Sequence, residues 1–137
     1  MTAVRVGFVG CGAHATANLY PLLHEAGMDL AAVCDLDKRK AQRVCRLFGA
    51  RRCYQDLSSM IEEMDLDALL VCGPPEMHAE AAMRALEHGL HVWLESPPAP
   101  TLSEAERIAE LAGAKGRVAQ VGLAMRFAPA YERLRRV

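Results

Sequence analysis

The chain has 137 residues, 52% of them hydrophobic, and its 16 basic and 17 acidic side chains give a formal net charge of -1. This length provides one hydrophobic core and leaves no room for a second independent domain. The nearly balanced charge gives no field that would gather nucleic acid or anionic lipid. We expect neither a signal peptide nor a membrane span, and we expect the five cysteines, which contain no C-x-x-C pair, to be free thiols. These features predict a cytoplasmic protein that binds neither nucleic acid nor membrane.

Short β-branched runs alternate with stretches of helical period from the first residues to about residue 122. This alternation predicts an α/β fold, a doubly wound parallel sheet of the Rossmann type with helices on both faces. The predicted strands are Val4–Val9, Leu30–Cys34, Arg52–Tyr54, Ala68–Cys72, His91–Leu94 and Val118–Val121. The predicted helices cover about Ala13–Ala26, Lys38–Phe48, Leu57–Glu63, Pro75–His88 and Leu102–Ala114, with Asp37, Asp56 and Thr101 as N-caps.

The pattern changes after Gly122, and a last helix that begins at Pro129 is still periodic at Val137. We expect a dinucleotide-binding domain over residues 1–122. Residues 123–137 would then begin a connection to a C-terminal substrate domain that this chain lacks.

The segment from Gly10 to Ala15 has the spacing G-x-G-x-x-A between the first strand and the first helix. Gly10 would allow the tight turn, Gly12 would leave room for a pyrophosphate, and Ala15 would let the helix pack closely on the strand. Ala13 and His14 lie in the first turn of that helix, where unpaired N–H groups and the helix dipole favour phosphate. Glycines that only form a turn are the alternative, which the strand-to-helix context disfavours.

Asp35 ends the second strand, 20 residues beyond Ala15, where a carboxylate can accept both ribose hydroxyls of an adenosine. This position favours NAD, because the 2′-phosphate of NADP would meet a like charge. Lys38, Arg39 and Lys40 follow and either pair with a 2′-phosphate or form a solvated helix face. NAD is therefore the expected cofactor, and NADP stays possible.

With these motifs the whole chain resembles the Gfo/Idh/MocA oxidoreductases. The resemblance also rests on the turns Gly73-Pro74-Pro75-Glu76-Met77-His78 and Glu95-Ser96-Pro97 and on the segment from Gly122 to Pro129. It implies a second domain, built on an open sheet, that would hold most of the substrate site and often a catalytic histidine. It also implies that the small-molecule substrate binds through that missing domain and that this fragment alone is inactive. Homo-oligomerisation is left open, since the family's usual dimer surface lies in the missing domain.

The resemblance implies that Gly73, Pro74 and His78 lie against the cofactor, although Gly73 departs from the family's usual serine or threonine. For His78 the alternative is a helix-capping histidine at a partly exposed position. Glu95 is implied to meet the nicotinamide ribose, with capping of the following turn as the alternative, and Pro97 is expected to be cis.

Ser96 replaces the lysine of the family's Glu-Lys-Pro motif, so the catalytic residue is unknown. We assign no metal. The residues expected to bind the cofactor are Gly10, Gly12, Ala13, His14, Ala15, Asp35, Gly73, Pro74, His78, Glu95, Ser96 and Pro97.

The leading hypothesis is the cofactor domain of an NAD(P)-dependent oxidoreductase that transfers hydride between the nicotinamide and a sugar, polyol or related hydroxy compound. The rival is a non-catalytic NAD(P)-binding or regulatory protein, which the Ser96 departure keeps open. A structural fragment with an empty cleft ranks last, because Gly10, Gly12, Ala15 and Asp35 agree in context as well as in spacing.

Overall fold

Six parallel strands form one sheet in the order β3-β2-β1-β4-β5-β6 in the computed structural model, which describes residues 3–136. The strands are β1 (Val4–Val9), β2 (Met28–Cys34), β3 (Arg52–Tyr54), β4 (Ala68–Val71), β5 (His91–Glu95) and β6 (Ala119–Gly122). This order is the doubly wound arrangement, in which the chain reverses direction across the sheet between β1 and β4. The predicted Rossmann fold is confirmed.

In the described part of the chain, five α-helices connect or follow the strands: α1 (Lys38–Phe48), α2 (Leu57–Glu63), α3 (Pro75–Glu87), α4 (Leu102–Lys115) and α5 (Pro129–Leu134). The predicted N-caps are confirmed by hydrogen bonds. Asp37 accepts from the backbone N of Arg39 at 2.9 Å, Asp56 from that of Ser59 at 2.7 Å, and Thr101 from that of Glu104 at 3.3 Å. Each bond satisfies an N–H group that has no partner inside its helix.

The first helix differs from the prediction, because Ala13–Ala26 is not one regular helix. The chain forms a π-helical turn over Ala15–Leu19, a 3-10 turn over Tyr20–Leu22, and further turns up to Gly27. Pro21 lies inside this stretch and has no N–H to donate, so the regular ladder of hydrogen bonds cannot pass through it. The irregular winding also lets Tyr20 stack on Phe8 with ring centroids 4.2 Å apart.

Two apolar cores cover the two faces of the sheet. One packs α2, α3 and α4 on the sheet and includes the fully buried Met60, Leu69 and Leu86. The other packs α1 and the first helical segment on the opposite face and includes Phe8 and Val33. Because β4 supplies Leu69 to one core and Leu70 to the other, it is buried on both faces, as its continuous apolar sequence predicts.

The end of the chain presents apolar side chains to solvent. After β6 a 3-10 turn (Ala124–Phe127), which the sequence did not predict, leads into α5. Met125, Phe127 and Leu134 are each more than 60% exposed in this segment. Val137, the last residue of the predicted final helix, lies outside the described residues. Within residues 3–136 no helix combines the length and apolarity that a membrane crossing requires.

Candidate dinucleotide site

The turn that follows β1 is formed by a glycine that no other residue can replace without strain. Gly10 has φ +103°, and a Cβ there would lie 1.9 Å from the backbone oxygen of Cys72. The turn therefore lies directly against the end of β4. This is the switch point between β1 and β4, on either side of which successive strands are added in opposite directions. The buried Tyr20 hydroxyl stabilises the turn by donating a hydrogen bond to the Gly10 carbonyl at 3.1 Å.

Gly12 has a different environment from Gly10. Its φ is not positive, and a Cβ placed on it would have no neighbour within 4 Å. Helical hydrogen bonding starts immediately after it, since the Thr16 backbone N donates to the Gly12 carbonyl at 3.0 Å. The exposed Gly12 and Ala13 thus place the N–H groups of a helix start beside open space, while the buried Ala15 packs the segment on the sheet.

Asp35 lies at the end of β2 and is tied to the same turn. Its Oδ2 accepts the backbone N–H of Cys11 at 2.8 Å, and its Oδ1 accepts that of Asp37 at 2.8 Å. A carboxylate has about four acceptor sites, so both oxygens keep capacity for a further hydroxyl donor. The carboxylate is half-buried and held in one orientation beside the glycine turn.

A cleft of about 440 Å³ opens at this edge of the sheet. It brings together five of the residues predicted to bind the cofactor, namely Gly10, Gly12, Asp35, Gly73 and Pro74. Its walls also contain residues that the sequence reasoning missed: Leu36, Gln55, Asp56, Leu57, Met77, Glu80 and Arg84. They follow the ends of β2 and β3 or lie on α3, and their proximity to strand ends was the available signal.

Met77 packs against Gly73, the residue that stands where the resemblance implies serine or threonine. A Cβ at Gly73 would lie 2.0 Å from the terminal methyl of Met77. The methionine side chain occupies the space beside Gly73 and would have to move for a serine or threonine. The cleft wall is therefore apolar where the resemblance implied a hydroxyl group.

His78 is not partly exposed, as a helix-capping histidine would be, but 1% exposed. Its Nε2 accepts the backbone N–H of Gly73 at 2.9 Å, and its Nδ1 lies 2.7 Å from the Pro97 carbonyl oxygen. A carbonyl only accepts, so Nδ1 carries the proton and the ring is the neutral Nδ1–H tautomer. Both ring nitrogens are used within the protein, and His78 joins the loop after β4 to the loop after β5. The alternative of a partly exposed capping histidine is wrong, because the α3 face that carries His78 packs inward.

Glu95, Ser96 and His14 meet at the end of β5. Glu95 Oε1 accepts the Ser96 backbone N–H at 2.9 Å and lies 3.4 Å from the Ser96 hydroxyl. Glu95 Oε2 lies 3.1 Å from His14 Nε2. The Ser96-Pro97 peptide bond is cis, as expected. Glu95 and His14 do not line the cleft that contains Asp35. The predicted cofactor residues Asp35 and Glu95 therefore lie on opposite sides of the glycine turn.

Cys11 has no reactive environment despite its place in the turn. The thiol is 1% exposed, and burial raises its pKa to about 11. Burial likewise raises the pKa of Cys34 to about 12. Both thiols are protonated at neutral pH and fill space in the core, so Cys11 is not an activated thiolate.

Residues 4–123 match a family described as the oxidoreductase family with an NAD-binding Rossmann fold, GFO_IDH_MocA. The chain is 30% identical, over 94% of its length and 41% of the relative's, to 4-carboxy-2-hydroxymuconate-6-semialdehyde dehydrogenase of Sphingobium sp. strain SYK-6. It is 32% identical, over 96% of its length and 38% of the relative's, to D-glucoside 3-dehydrogenase of Escherichia coli K12.

The fold is also that of solved dehydrogenases. The WlbA dehydrogenase from Chromobacterium violaceum, crystallised with NADH and UDP-GlcNAcA, superposes with a TM-score of 0.93 at 25% identity, over 99% of this chain and 39% of that one. The chain thus spans about two fifths of the length of these relatives. By the match over residues 4–123 and by its fold, the chain belongs to the Gfo/Idh/MocA oxidoreductases, of which it represents the NAD-binding Rossmann domain.

Proposed function

We propose that residues 1–122 bind NAD(H) across the glycine turn, as the cofactor domain of an enzyme that transfers hydride to or from a hydroxy compound. The observation that carries the proposal is the open backbone at Gly12, with a fixed carboxylate on each side of the turn: Asp35 at β2 and Glu95 at β5. A dinucleotide has two ribose diols separated by a pyrophosphate, which is the same order of groups. A bound nicotinamide would supply the hydride acceptor or donor, and the residues of this chain would bind and orient it.

The charges in the cleft support NAD over NADP. Asp35, Asp56 and Glu80 line the cleft, whose Asp35 side is the proposed adenosine end, and Arg84 is the cation that lines it within residues 3–136. Arg84 is already paired with Glu80 at 3.0 Å. The basic residues at the start of α1 do not line the cleft. A 2′-phosphate would therefore enter an acidic environment, and Asp35→Ser is expected to reduce the preference for NADH over NADPH.

The substrate would be a sugar, polyol or related hydroxy compound. This class is supported by the D-glucoside 3-dehydrogenase relative and by the WlbA structure with UDP-GlcNAcA. Residues 123–137 would begin the connection to a substrate domain, and the exposed Met125, Phe127 and Leu134 would be covered by it. The present chain alone would then bind cofactor without turnover.

Ser96 supports a second candidate, a non-catalytic NAD(H)-binding or regulatory protein. Both the backbone N–H and the hydroxyl of Ser96 are directed to Glu95, and neither carries a charge that would stabilise an alkoxide. In this alternative, cofactor occupancy would control a partner and hydride transfer would be absent.

Titration of the purified chain with NADH and with NADPH, followed by nicotinamide fluorescence and melting temperature, tests cofactor binding. We expect tighter NADH binding that Gly12→Val abolishes. Gly113→Val is the matched control, because Gly113 lies in α4, away from the cleft, and a Cβ placed on it would likewise have no neighbour within 4 Å. Equal NADH binding by wild type and Gly12→Val would contradict the proposed site.

Turnover distinguishes the two candidates. A chain that carries a substrate domain would be assayed for NADH formation with a panel of sugars and polyols. Turnover supports the enzyme, whereas retained NADH binding without turnover across the panel supports the regulatory alternative.

A further inference from the structure

Two cysteines outside the cleft lie on elements that pack against each other. Cys53 is on β3, and the β2–β3 register places it opposite Val33. Residues opposite each other on neighbouring strands project to the same face of a sheet. Val33 belongs to the core beneath α1, and Cys45 of α1 packs against that same core. Cys53 therefore lies at the edge of the sheet face that α1 covers, on the side of Cys45.

The Cys45 side chain is turned toward the chain that enters β3. Its Sγ donates to the Ala50 carbonyl at 3.2 Å. Burial raises the pKa of Cys45, and the neighbouring Cys53 thiol raises it further. The shared sheet face and the contact of Cys45 with Ala50 thus place the two thiols beside each other, with Cys53 exposed to solvent and Cys45 half-buried.

The other thiols lack this combination of exposure and a thiol neighbour at the surface. Cys11 and Cys34 are buried, at 1% and 3% exposure. Cys72 is half-buried at the end of β4. Among the described residues, Cys53 is the exposed cysteine, and it has Cys45 as a second thiol beside it.

We propose that Cys45 and Cys53 form a modification site, a dithiol that a small disulfide such as oxidised glutathione converts into an intramolecular disulfide. The exposed Cys53 thiolate attacks one sulfur of oxidised glutathione, whose S–S bond breaks and releases one glutathione thiolate. The Cys45 thiolate then attacks Cys53 Sγ and releases the second glutathione. Two electrons pass to glutathione, and the two cysteine protons pass to solvent or to the released thiolates.

The site lies next to the proposed adenosine end of the cleft. β3 leads directly to Gln55, whose side chain donates to the Leu36 carbonyl at 3.1 Å, and the Asp35 backbone N donates to the Tyr54 carbonyl at 3.1 Å. The disulfide would join α1, which follows Asp35 and Leu36, to β3, which ends at Tyr54 and leads to Gln55. The chemistry itself is independent of cofactor binding and is tested without it.

The test oxidises the folded chain with oxidised glutathione, blocks free thiols by alkylation, and maps tryptic peptides under non-reducing conditions. We expect the peptide Val44–Arg46 linked to the peptide that starts at Cys53 and ends at Arg84, and we expect dithiothreitol to separate them. Cys11 and Cys34 should stay unmodified, which shows that the fold was intact during oxidation.

Serine variants identify the partners, because the second peptide also contains Cys72. The link should persist in Cys72→Ser, the matched control, and disappear in Cys53→Ser. Cys45→Ser should stop at a glutathione adduct on Cys53. A link that disappears in Cys72→Ser, a disulfide between two chains, or a stable glutathione adduct on Cys53 of the wild type would overturn the proposal.

Discussion

His14 Nε2 lies 3.1 Å from Glu95 Oε2, so a side chain from the turn after β1 reaches one at the end of β5, across the end of the intervening β4. The Asn18 side-chain nitrogen lies 3.1 Å from His14 Nδ1. An amide nitrogen only donates, so Nδ1 is the acceptor and Nε2 carries the proton that is donated to Glu95. Asn18 thereby sets the tautomer with which His14 orients the carboxylate.

This arrangement predicts that His14→Ala weakens NADH binding and leaves ADP binding unchanged. ADP contains the adenosine and the two phosphates of the cofactor but lacks the nicotinamide riboside, whose ribose site is proposed at Glu95. Loss of one hydrogen bond that orients a carboxylate corresponds to about 1 kcal/mol, or a roughly fivefold higher Kd. Isothermal titration with each ligand measures both effects.

His14→Gln, which keeps an N–H donor, is expected to recover most of the NADH affinity. Equal losses for NADH and ADP would show that His14 acts on the whole turn and not on the nicotinamide side.

Substitutions at Gly10 and at Gly12 are predicted to affect different properties, stability at Gly10 and NADH binding at Gly12. Gly10→Ala introduces a Cβ against the Cys72 carbonyl at φ +103° and should lower the free energy of unfolding by about 2 kcal/mol or more. Gly12→Val adds a side chain in open space and should leave the melting temperature nearly unchanged while abolishing NADH binding. Thermal unfolding without and with NADH separates the two effects. A stable Gly10→Ala variant would contradict the close contact with β4.

His78 is predicted to contribute to stability through its two hydrogen bonds. His78→Phe fills similar space and leaves the Gly73 N–H and the Pro97 carbonyl without their partner, at about 1–3 kcal/mol for each buried group. Denaturant unfolding measures this loss. His78→Gln, which can both donate and accept, should lose less stability than His78→Phe, and equal losses would indicate that shape and not hydrogen bonding matters at this site.

The Arg5–Asp67 pair predicts acid sensitivity. Hydrogen bonds from the Arg5 side chain and backbone lower the pKa of Asp67 from 3.8 to about 2. A carboxylate with a lowered pKa in the folded state stabilises the fold above its unfolded pKa, and this contribution is lost as the pH falls from about 4 to about 2. The stability difference between wild type and Asp67→Asn should therefore be largest near neutral pH and shrink across that interval.

Asp56 serves as an internal reference for this experiment. Hydrogen bonds from Ser59 lower its pKa as well, and it stays present in Asp67→Asn. Some acid sensitivity should thus remain in the variant. A stability difference that does not change between pH 5 and pH 2 would show that the Arg5 contact does not act through the charge of Asp67.

Much of the fold was predictable from the sequence because its signals are local. The alternation of strand and helix patterns gave the α/β class, and the bounds of β1, β3 and α1 agree with the structure. Other ends shifted slightly: β2 begins at Met28 and not Leu30. The prediction of a regular first helix was wrong for two reasons. Pro21 interrupts the backbone hydrogen bonds of that helix, and Tyr20 packs into the core against Phe8, a contact that no local sequence pattern indicates.

The residues of the site divide in the same way. The glycine spacing and the strand-end position of Asp35 depend on the backbone within one β-α-β unit, so the sequence alone determined them. Tertiary structure decided which distant loops meet: His78 is buried between the loops after β4 and β5, and His14 reaches Glu95 across 81 positions of sequence. Such contacts depend on the strand order and on side-chain packing. Periodicity reports which face of an element is buried, and only the assembled sheet determines what that face meets.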